Sequence, residues 1–323
     1  MPPLVVWLAL IASVTAAATW VARQYALRGN LMDQPGDRRS HHVATPRGGG
    51  IAIVLVVLVV GCYLMSRDLS GRALWIGFLP GLLIVAGIGW WDDHRPLSPW
   101  LRLVVQAVAA LMLAAGAGWQ SGHWLPALLA FGAAMVLVNV WNFMDGINGL
   151  ATTQAGLAAV AYAGLLAGEW RWLALALLAG CLGFLPFNFP KARIFLGDVG
   201  SGALGFMLAG LVTAASIAVP PGSVPLLMLP LSIFLVDAGF TLLRRILRRE
   251  PWWTPHVTHL YQIAARRLGH GPVTLAYAAS SGVTLSLMLV WPRSTWGQSV
   301  SVAVTVYLVV SFVWFASRRG LRE

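Results

Sequence analysis

Three short stretches of this chain set carboxylates beside amide, glycine or basic residues at the edges of very apolar runs, and a fourth sets two histidines beside arginines. Asp92-Asp93-His94-Arg95 follows the run 73–91. Asn139, Asn142 and Asp145 lead through Gly146 to Asn148-Gly149, between the runs 125–141 and 150–168. Gly197-Asp198-Val199-Gly200-Ser201-Gly202 stands before the run 202–219, with Asn188, Lys191 and Arg193 upstream of it. His256 and His259 lie three residues apart in a loop rich in arginine. Adjacent carboxylates can hold a cation, or take up a proton when one pKa is raised. Asn139 and Asn142, spaced i,i+3, share one helical face, with Asp145 one step further along. The glycines around Asp198 let another group come close to the backbone. A zinc centre is disfavoured, because no HExxH pattern or cysteine cluster accompanies the histidines. Taken singly, each stretch also reads as plain structure: a solvated helix end, an Asn-Gly turn, an N-cap by Asp198 or Ser201, and a wet interfacial loop.

The elements that must position these residues are membrane helices. The chain of 323 residues is 58% hydrophobic and 10% charged, far from the balance of soluble proteins. Apolar runs recur at 3–22, 48–65, 73–91, 103–118, 125–141, 150–168, 172–187, 202–219, 224–243, 273–291 and 300–317. Each is about the length needed to cross a hydrocarbon core of roughly 30 Å. The expectation is an all-α, polytopic helical membrane protein with about 11 transmembrane helices, folded as one integral-membrane domain over 1–323. Glycine is frequent inside the runs, as expected where helices pack closely in lipid.

Orientation follows from the basic residues. With the N-terminus outside, 18 of the 22 Lys and Arg fall in loops and a C-terminal tail on the cytoplasmic side, and only Arg67, Arg72, Arg171 and Arg293 fall opposite. This bias predicts an external N-terminus and a cytoplasmic C-terminus. Six of the seven histidines and nine of the eleven acids, Asp237 among them, then face the cytoplasm. The net charge of +11 becomes a cytoplasmic surface suited to anionic lipid and phosphate partners. Nucleic acid is not expected, because no soluble module remains to bind it. The first run lacks a preceding basic region, so it is expected to be retained rather than cleaved. Cys62 and Cys181 both lie inside runs and are expected to pack rather than pair.

In this topology Thr45–Gly50, Asp92–Arg102, Asn139–Gly149 and Gly197–Gly202 each precede a helix that starts at the cytoplasmic surface. Free N–H groups and the positive dipole end make such starts receptive to phosphate. Acids beside them would repel phosphate unless a cation intervenes, so Mg²⁺, or Mn²⁺ in its place, is expected, shared between a few carboxylates and the substrate's own phosphates. The rival class is an ion-coupled transporter or a flippase of lipid-linked sugars. Such sites usually lie near the bilayer midplane, whereas these acids gather at one surface. No DG…AR…G…D…D array of the CDP-alcohol phosphatidyltransferases is present.

In order and spacing, the motifs over about 33 to 262 resemble the polyprenyl-phosphate N-acetylhexosamine-1-phosphate transferases, the family of the bacterial WecA and MraY enzymes and the WbpL-type O-antigen initiators. The resemblance implies transfer of a sugar 1-phosphate from a UDP-N-acetylhexosamine to undecaprenyl phosphate, with release of UMP, at the cytoplasmic face of the bacterial inner membrane. It implies Asp198 as the Mg²⁺ ligand, Asp92 and Asp93 at the lipid phosphate, either as a general base for a residual proton or as groups that position the lipid head, and Asn139, Asn142, Asp145, Asn148, Asn188 and Lys191 in the nucleotide and diphosphate region. It also implies that His256 and His259 form the histidine motif, that Arg38, Arg39 and His41 form a first basic loop, and that the protein is a homodimer. Asn148 stands where many relatives carry Asp. The histidine motif starts at His256 where WecA relatives have Asp, and it ends Leu260-Tyr261-Gln262 where WecA and MraY relatives have further His, an ending nearer the WbpL type. No residue selects among GlcNAc, QuiNAc, FucNAc and GalNAc donors.

Overall fold

The computed structural model describes residues 3–34, 36, 43–68, 70–251, 254, 256–290 and 295–321. In chain order the elements are α1 (Leu4–Arg28), β1 (Met32–Asp33), β2 (Thr45–Pro46), α2 (Ile51–Arg67), α3 (Arg72–His94), α4 (Pro99–Ser121), α5 (Trp124–Phe143), α6 (Leu150–Leu165), α7 (Gly168–Asn188) and α8 (Gly197–Ala218). A 3₁₀ segment (Pro221–Leu231), α9 (Ser232–Leu247), α10 (Leu260–Leu268), α11 (His270–Val290) and α12 (Trp296–Gly320) complete the chain. Among the described residues, nine helical segments are long and apolar enough to cross a membrane, and α2 and α6 are shorter apolar helices. The protein is an all-α, multi-pass membrane protein. The β1–β2 ladder, with Met32 opposite Pro46 and Asp33 opposite Thr45, is the one strand pairing among the described residues.

Helix α8 runs through the centre, with 83% of its apolar window buried, against 22% for α1 and 17% for α12. It packs on α3 and α5. Lipid tails are as apolar as the helix faces, so association rests on close packing of small residues rather than on escape from water. At Gly205 of α8 an added Cβ would strike the Leu137 carbonyl of α5, which shows how closely the two backbones approach.

Several expectations shift on the structure. The run 224–243 is not one α-helix. Pro221, Pro225 and Pro230 lack N–H groups, so the segment winds as a 3₁₀ helix up to Leu231 and becomes α-helical only from Ser232. Tyr162 and Tyr307 donate their hydroxyl hydrogens to the Leu227 and Met228 carbonyls, satisfying backbone groups that lipid could not. Asp92 and Asp93 lie within the last turns of α3, not beyond it, and α8 already begins at Gly197 rather than 202. Asp198 is therefore a first-turn residue and not the N-cap. Arg245, one of the arginines ahead of the histidines, is not solvated but buried against Glu250 at 3.0 Å and the Pro251 carbonyl at 2.8 Å. Cys181 is buried as expected, but Cys62 is exposed on α2; both are free thiols.

Candidate active site

The ends of α3, α5 and α8, the start of α4 and the loop before α10 converge on a cleft of about 740 Å³. Its walls include Asp92, Asp93, Asn139, Asn142, Asp145, Asp198, His256 and His259. Residues from four separate sequence motifs thus meet in one cavity.

The acidic floor is built from helix ends that would each be unfavourable alone. Acids at the C-terminus of α3 oppose its dipole, and a cation in the first turn of α4 opposes that one. The two misfits cancel. Arg102 of α4 donates to Asp92 at 2.8 Å and stands 3.5 Å from Asp198. The Leu97 N–H donates to the other Asp92 oxygen at 2.6 Å. Ser98 caps α4 by accepting from the Leu101 N–H, ahead of Pro99 at the first helical position.

Asp93 does something different. It is 1% exposed, and its two oxygens accept the N–H groups of Asp198 and Val199 at 3.0 and 3.1 Å. These are among the N–H groups that the start of α8 leaves without an intrahelical partner, so a carboxylate from α3 caps α8. Arg47 balances the charge, with its Nε 3.8 Å from Asp93 and a further bond to the Asp93 carbonyl. Two glycines make the approach possible. A Cβ on Gly89 would run into the Asp198 carbonyl, and Gly197 has φ +72°, where a Cβ would meet Asp93.

Asn142 donates to Asp198 at 2.6 Å and to the Ser201 hydroxyl at 3.2 Å, which orients the Asp198 carboxylate from the end of α5. Asn139, one turn earlier, donates to Gln106 and to the Met135 carbonyl. Asp145 lies in the loop after α5, and its pKa is held well above the usual carboxylate range. Burial is the main cause, followed by the charges of Asp198, Asp93 and Asp33. A site whose acids raise one another's pKa favours a cation.

The residues 256–258 are not helical. His259 directly precedes α10 as its N-cap residue, and its backbone N–H donates to Gln262. The two imidazoles still stack, with ring centroids 4.9 Å apart. Burial pushes the His256 pKa down to about 4, helped by His259 and Arg245. Burial also lowers that of His259, against the pull of Asp237. Both rings are neutral at pH 7, able to accept as well as donate a hydrogen bond.

Three expected binding residues lie outside the cleft wall. Asn188 is buried, accepting from the Gly149 N–H and donating to the Ile194 carbonyl. Asn148 donates to the Pro190 carbonyl, and Lys191 is exposed. The two asparagines brace the loops that carry Asp145 and Asp198. Arg38, Arg39 and His41 lie outside the described residues. Conversely, Asp33, Arg47, Arg102, Tyr261 and Gln262, to which the sequence motifs assign no binding role, also line the cleft. For Arg102 the available signal was a cation at a helix start.

No three described His, Cys, Asp or Glu residues come together closely enough to hold a metal ion by themselves. Mg²⁺ does not require that, since one or two carboxylates with water and substrate phosphates suffice. The oriented Asp198 carboxylate, 30% exposed toward the cleft with other acids around it, fits a hard cation of this kind.

Comparison with known proteins places the chain among transferases. The glycosyl transferase family 4 model matches residues 75–216, the stretch that holds every acid of the floor. A probable undecaprenyl-phosphate N-acetylglucosaminyl 1-phosphate transferase of Bacillus subtilis is 28% identical, over 94% of this chain and 88% of the relative. A decaprenyl-phosphate N-acetylglucosaminephosphotransferase of Mycobacterium tuberculosis is 32% identical, over 64% of this chain and 58% of its own length. A phospho-N-acetylmuramoyl-pentapeptide-transferase of Moorella thermoacetica is 34% identical, over 66% of this chain and 76% of the relative. The chain belongs to glycosyl transferase family 4, the WecA- and MraY-like transferases.

Proposed function

We propose that this protein transfers an N-acetylhexosamine 1-phosphate, N-acetylglucosamine 1-phosphate first among them, from a UDP-sugar to undecaprenyl phosphate, releasing UMP and starting a cell-envelope polymer such as O-antigen. The observation that carries the reading is the cleft itself, where Asp92, Asp93, Asp145 and Asp198 face Arg47, Arg102 and the histidine pair. An oxygen of the lipid phosphate attacks the β-phosphorus of the UDP-sugar. A P–O bond forms there, the bond to the bridging oxygen breaks, and UMP leaves. Mg²⁺ held by Asp198 would supply charge neutralisation for the diphosphate and the leaving group.

The protein's own groups divide the remaining work. Asn142 orients Asp198. Asp93 fixes the start of α8 on which Asp198 rides. Asp92 aims Arg102 into the cleft toward the incoming phosphates. A phosphate monoester has its second pKa near 6, so the lipid nucleophile is mostly dianionic at pH 7. Asp92 and Asp93, both engaged with donors, act as positioning groups and not as an obligatory base. The bias of Lys and Arg supports a cytoplasmic cleft in the bacterial inner membrane.

The test is UMP release by the purified protein in detergent with undecaprenyl phosphate and UDP-linked GlcNAc, QuiNAc, FucNAc, GalNAc and MurNAc-pentapeptide, each with Mg²⁺ or with EDTA. Mg²⁺-dependent UMP release with one donor, and a lipid-linked sugar diphosphate as product, is expected. Release of no UMP with any donor would overturn the reading.

A further inference from the structure

Asp237 of α9 is 1% exposed and takes no part in the chemistry just described, yet five hydrogen-bond donors face it. Its Oδ1 accepts from the Leu260 N–H at 2.8 Å, Trp314 Nε1 at 3.0 Å and the Thr241 hydroxyl at 3.3 Å. Its Oδ2 accepts from the Tyr277 hydroxyl at 2.8 Å and the Tyr261 N–H at 3.1 Å. These donors come from α9, α10, α11 and α12. An acid within a membrane bundle is costly and is kept where it has partners and a task. Leu260 and Tyr261 are the first two residues of α10, so their N–H groups have no intrahelical acceptor, and a negative group there also suits the helix dipole.

What this carboxyl group holds is the histidine wall of the cleft. His259 immediately precedes the two captured N–H groups, and its buried ring places Nδ1 4.0 Å from Asp237. Tyr261, held by its N–H at Asp237, donates its hydroxyl to the Phe143 carbonyl at 2.9 Å, next to Asn142. Arg318 of α12 donates to the Thr258 carbonyl at 3.0 Å, just before His259. The last helix, with its mostly unburied surface, thus reaches the cleft wall through Trp314 and Arg318.

We infer that Asp237 is a positioning residue for the transfer reaction, a clamp through which α11 and α12 hold His259 and His256 against the acidic floor. This rests on the transfer reading for its use in catalysis, though the clamp itself can be tested without turnover. The first experiment is hydrogen exchange of the segment 256–268 in wild type, Asp237→Asn and Trp314→Phe. Loss of protection there in Asp237→Asn, with α3 and α8 unchanged, is expected; unchanged exchange would overturn the clamp.

The second experiment is turnover. Asp237→Asn should lower kcat by about ten- to a hundredfold, the loss expected when a reacting-site group drifts by about an ångström, with KM for the UDP-sugar moving less. Asp237→Glu should recover part of that loss, and Trp314→Phe, which removes one donor, should lose less. In a His259→Ala background Asp237→Asn should cost at most a few-fold, since its effect runs through that ring. Equal losses in both backgrounds would show a merely structural acid and overturn the positioning role. If Asp237→Asn does not accumulate as folded protein, Trp314→Phe decides: unchanged exchange and unchanged kcat in that variant overturn the proposal. Loss of protection beside a wild type that releases no UMP would leave the clamp standing and remove the transfer reading.

Discussion

On the floor of the cleft each acid sits at or next to a helix end; Asp92 and Asp93 engage backbone N–H groups and guanidinium groups, and Asp198 the Asn142 amide and Arg102. On the opposite wall the histidines sit in non-helical chain, and the short helix after them hangs from one carboxyl group of α9. The floor needs fixed charge at close quarters, which the ends of rigid spanning helices can hold within a fraction of an ångström. The wall is a longer polar loop, and loops acquire precision only from what they are tied to. Even within the floor, neighbours differ. Asp93 is locked into the start of α8, whereas Asp92 shares a partly exposed arginine with Asp198.

The strongest way to break this comparison is at Asp198. Asp198→Asn should lower Mg²⁺-dependent UMP release by about 10³-fold or more, the scale of losing a group that stabilises transition-state charge, while thermal unfolding in detergent stays near wild type. Near-normal turnover would remove the metal assignment. Next in size is the contrast between the two adjacent acids. In Asp93→Asn one of the two α8 N–H groups would face an amide donor, so unfolding stability should drop by roughly 1–3 kcal/mol. Asp92→Asn weakens a partly exposed pair and should stay within about 1 kcal/mol of wild type. Equal losses by chemical denaturation would mean that the helix-capping distinction is wrong.

The smallest effect is a pH dependence that sharpens the description of the wall. His256 has its pKa lowered from 6.5 to about 4, so below pH 6.5 the unfolded chain takes up a proton that the folded protein refuses. Stability contributed by the neutral ring should therefore fall as pH drops from 6.5 to about 4 and level off below that. Thermal unfolding of wild type and His256→Gln across this range checks the sign. A wild type whose stability in this range rises on acidification relative to His256→Gln would contradict the burial of that ring.

Some of this site was legible in residues and spacing alone. Asp92, Asp93, Asn139, Asn142, Asp145, Asp198, His256 and His259 reach the cleft because their motifs interrupt apolar runs where polar groups need a reason. Asn148 and Asn188 carry the same polar signal yet brace loops, since a motif does not say which of its members turns toward the cavity. Arg47 and Arg102 looked like ordinary loop cations. Their meaning depends on which helix end lies beside them, and hydropathy does not encode neighbours.

That the chain is built of membrane helices, and roughly where most of them run, was determined by the sequence itself, because a chain in lipid must satisfy its backbone groups within each helix and apolar length then marks the spans; the proline-rich segment 221–231 and the ends of α3 and α8 depart from the apolar runs. Glycines at close crossings and acids at the run ends were also there to read. Only the tertiary structure decided that Asp93 of α3 caps α8, that Arg102 joins Asp92 to Asp198, and that Asp237 gathers donors from four helices. Each of these unites residues distant in the chain through short-range contacts a few ångströms long. Such contacts depend on how the helices pack, and the acids with which this chain first drew notice acquire separate tasks only there.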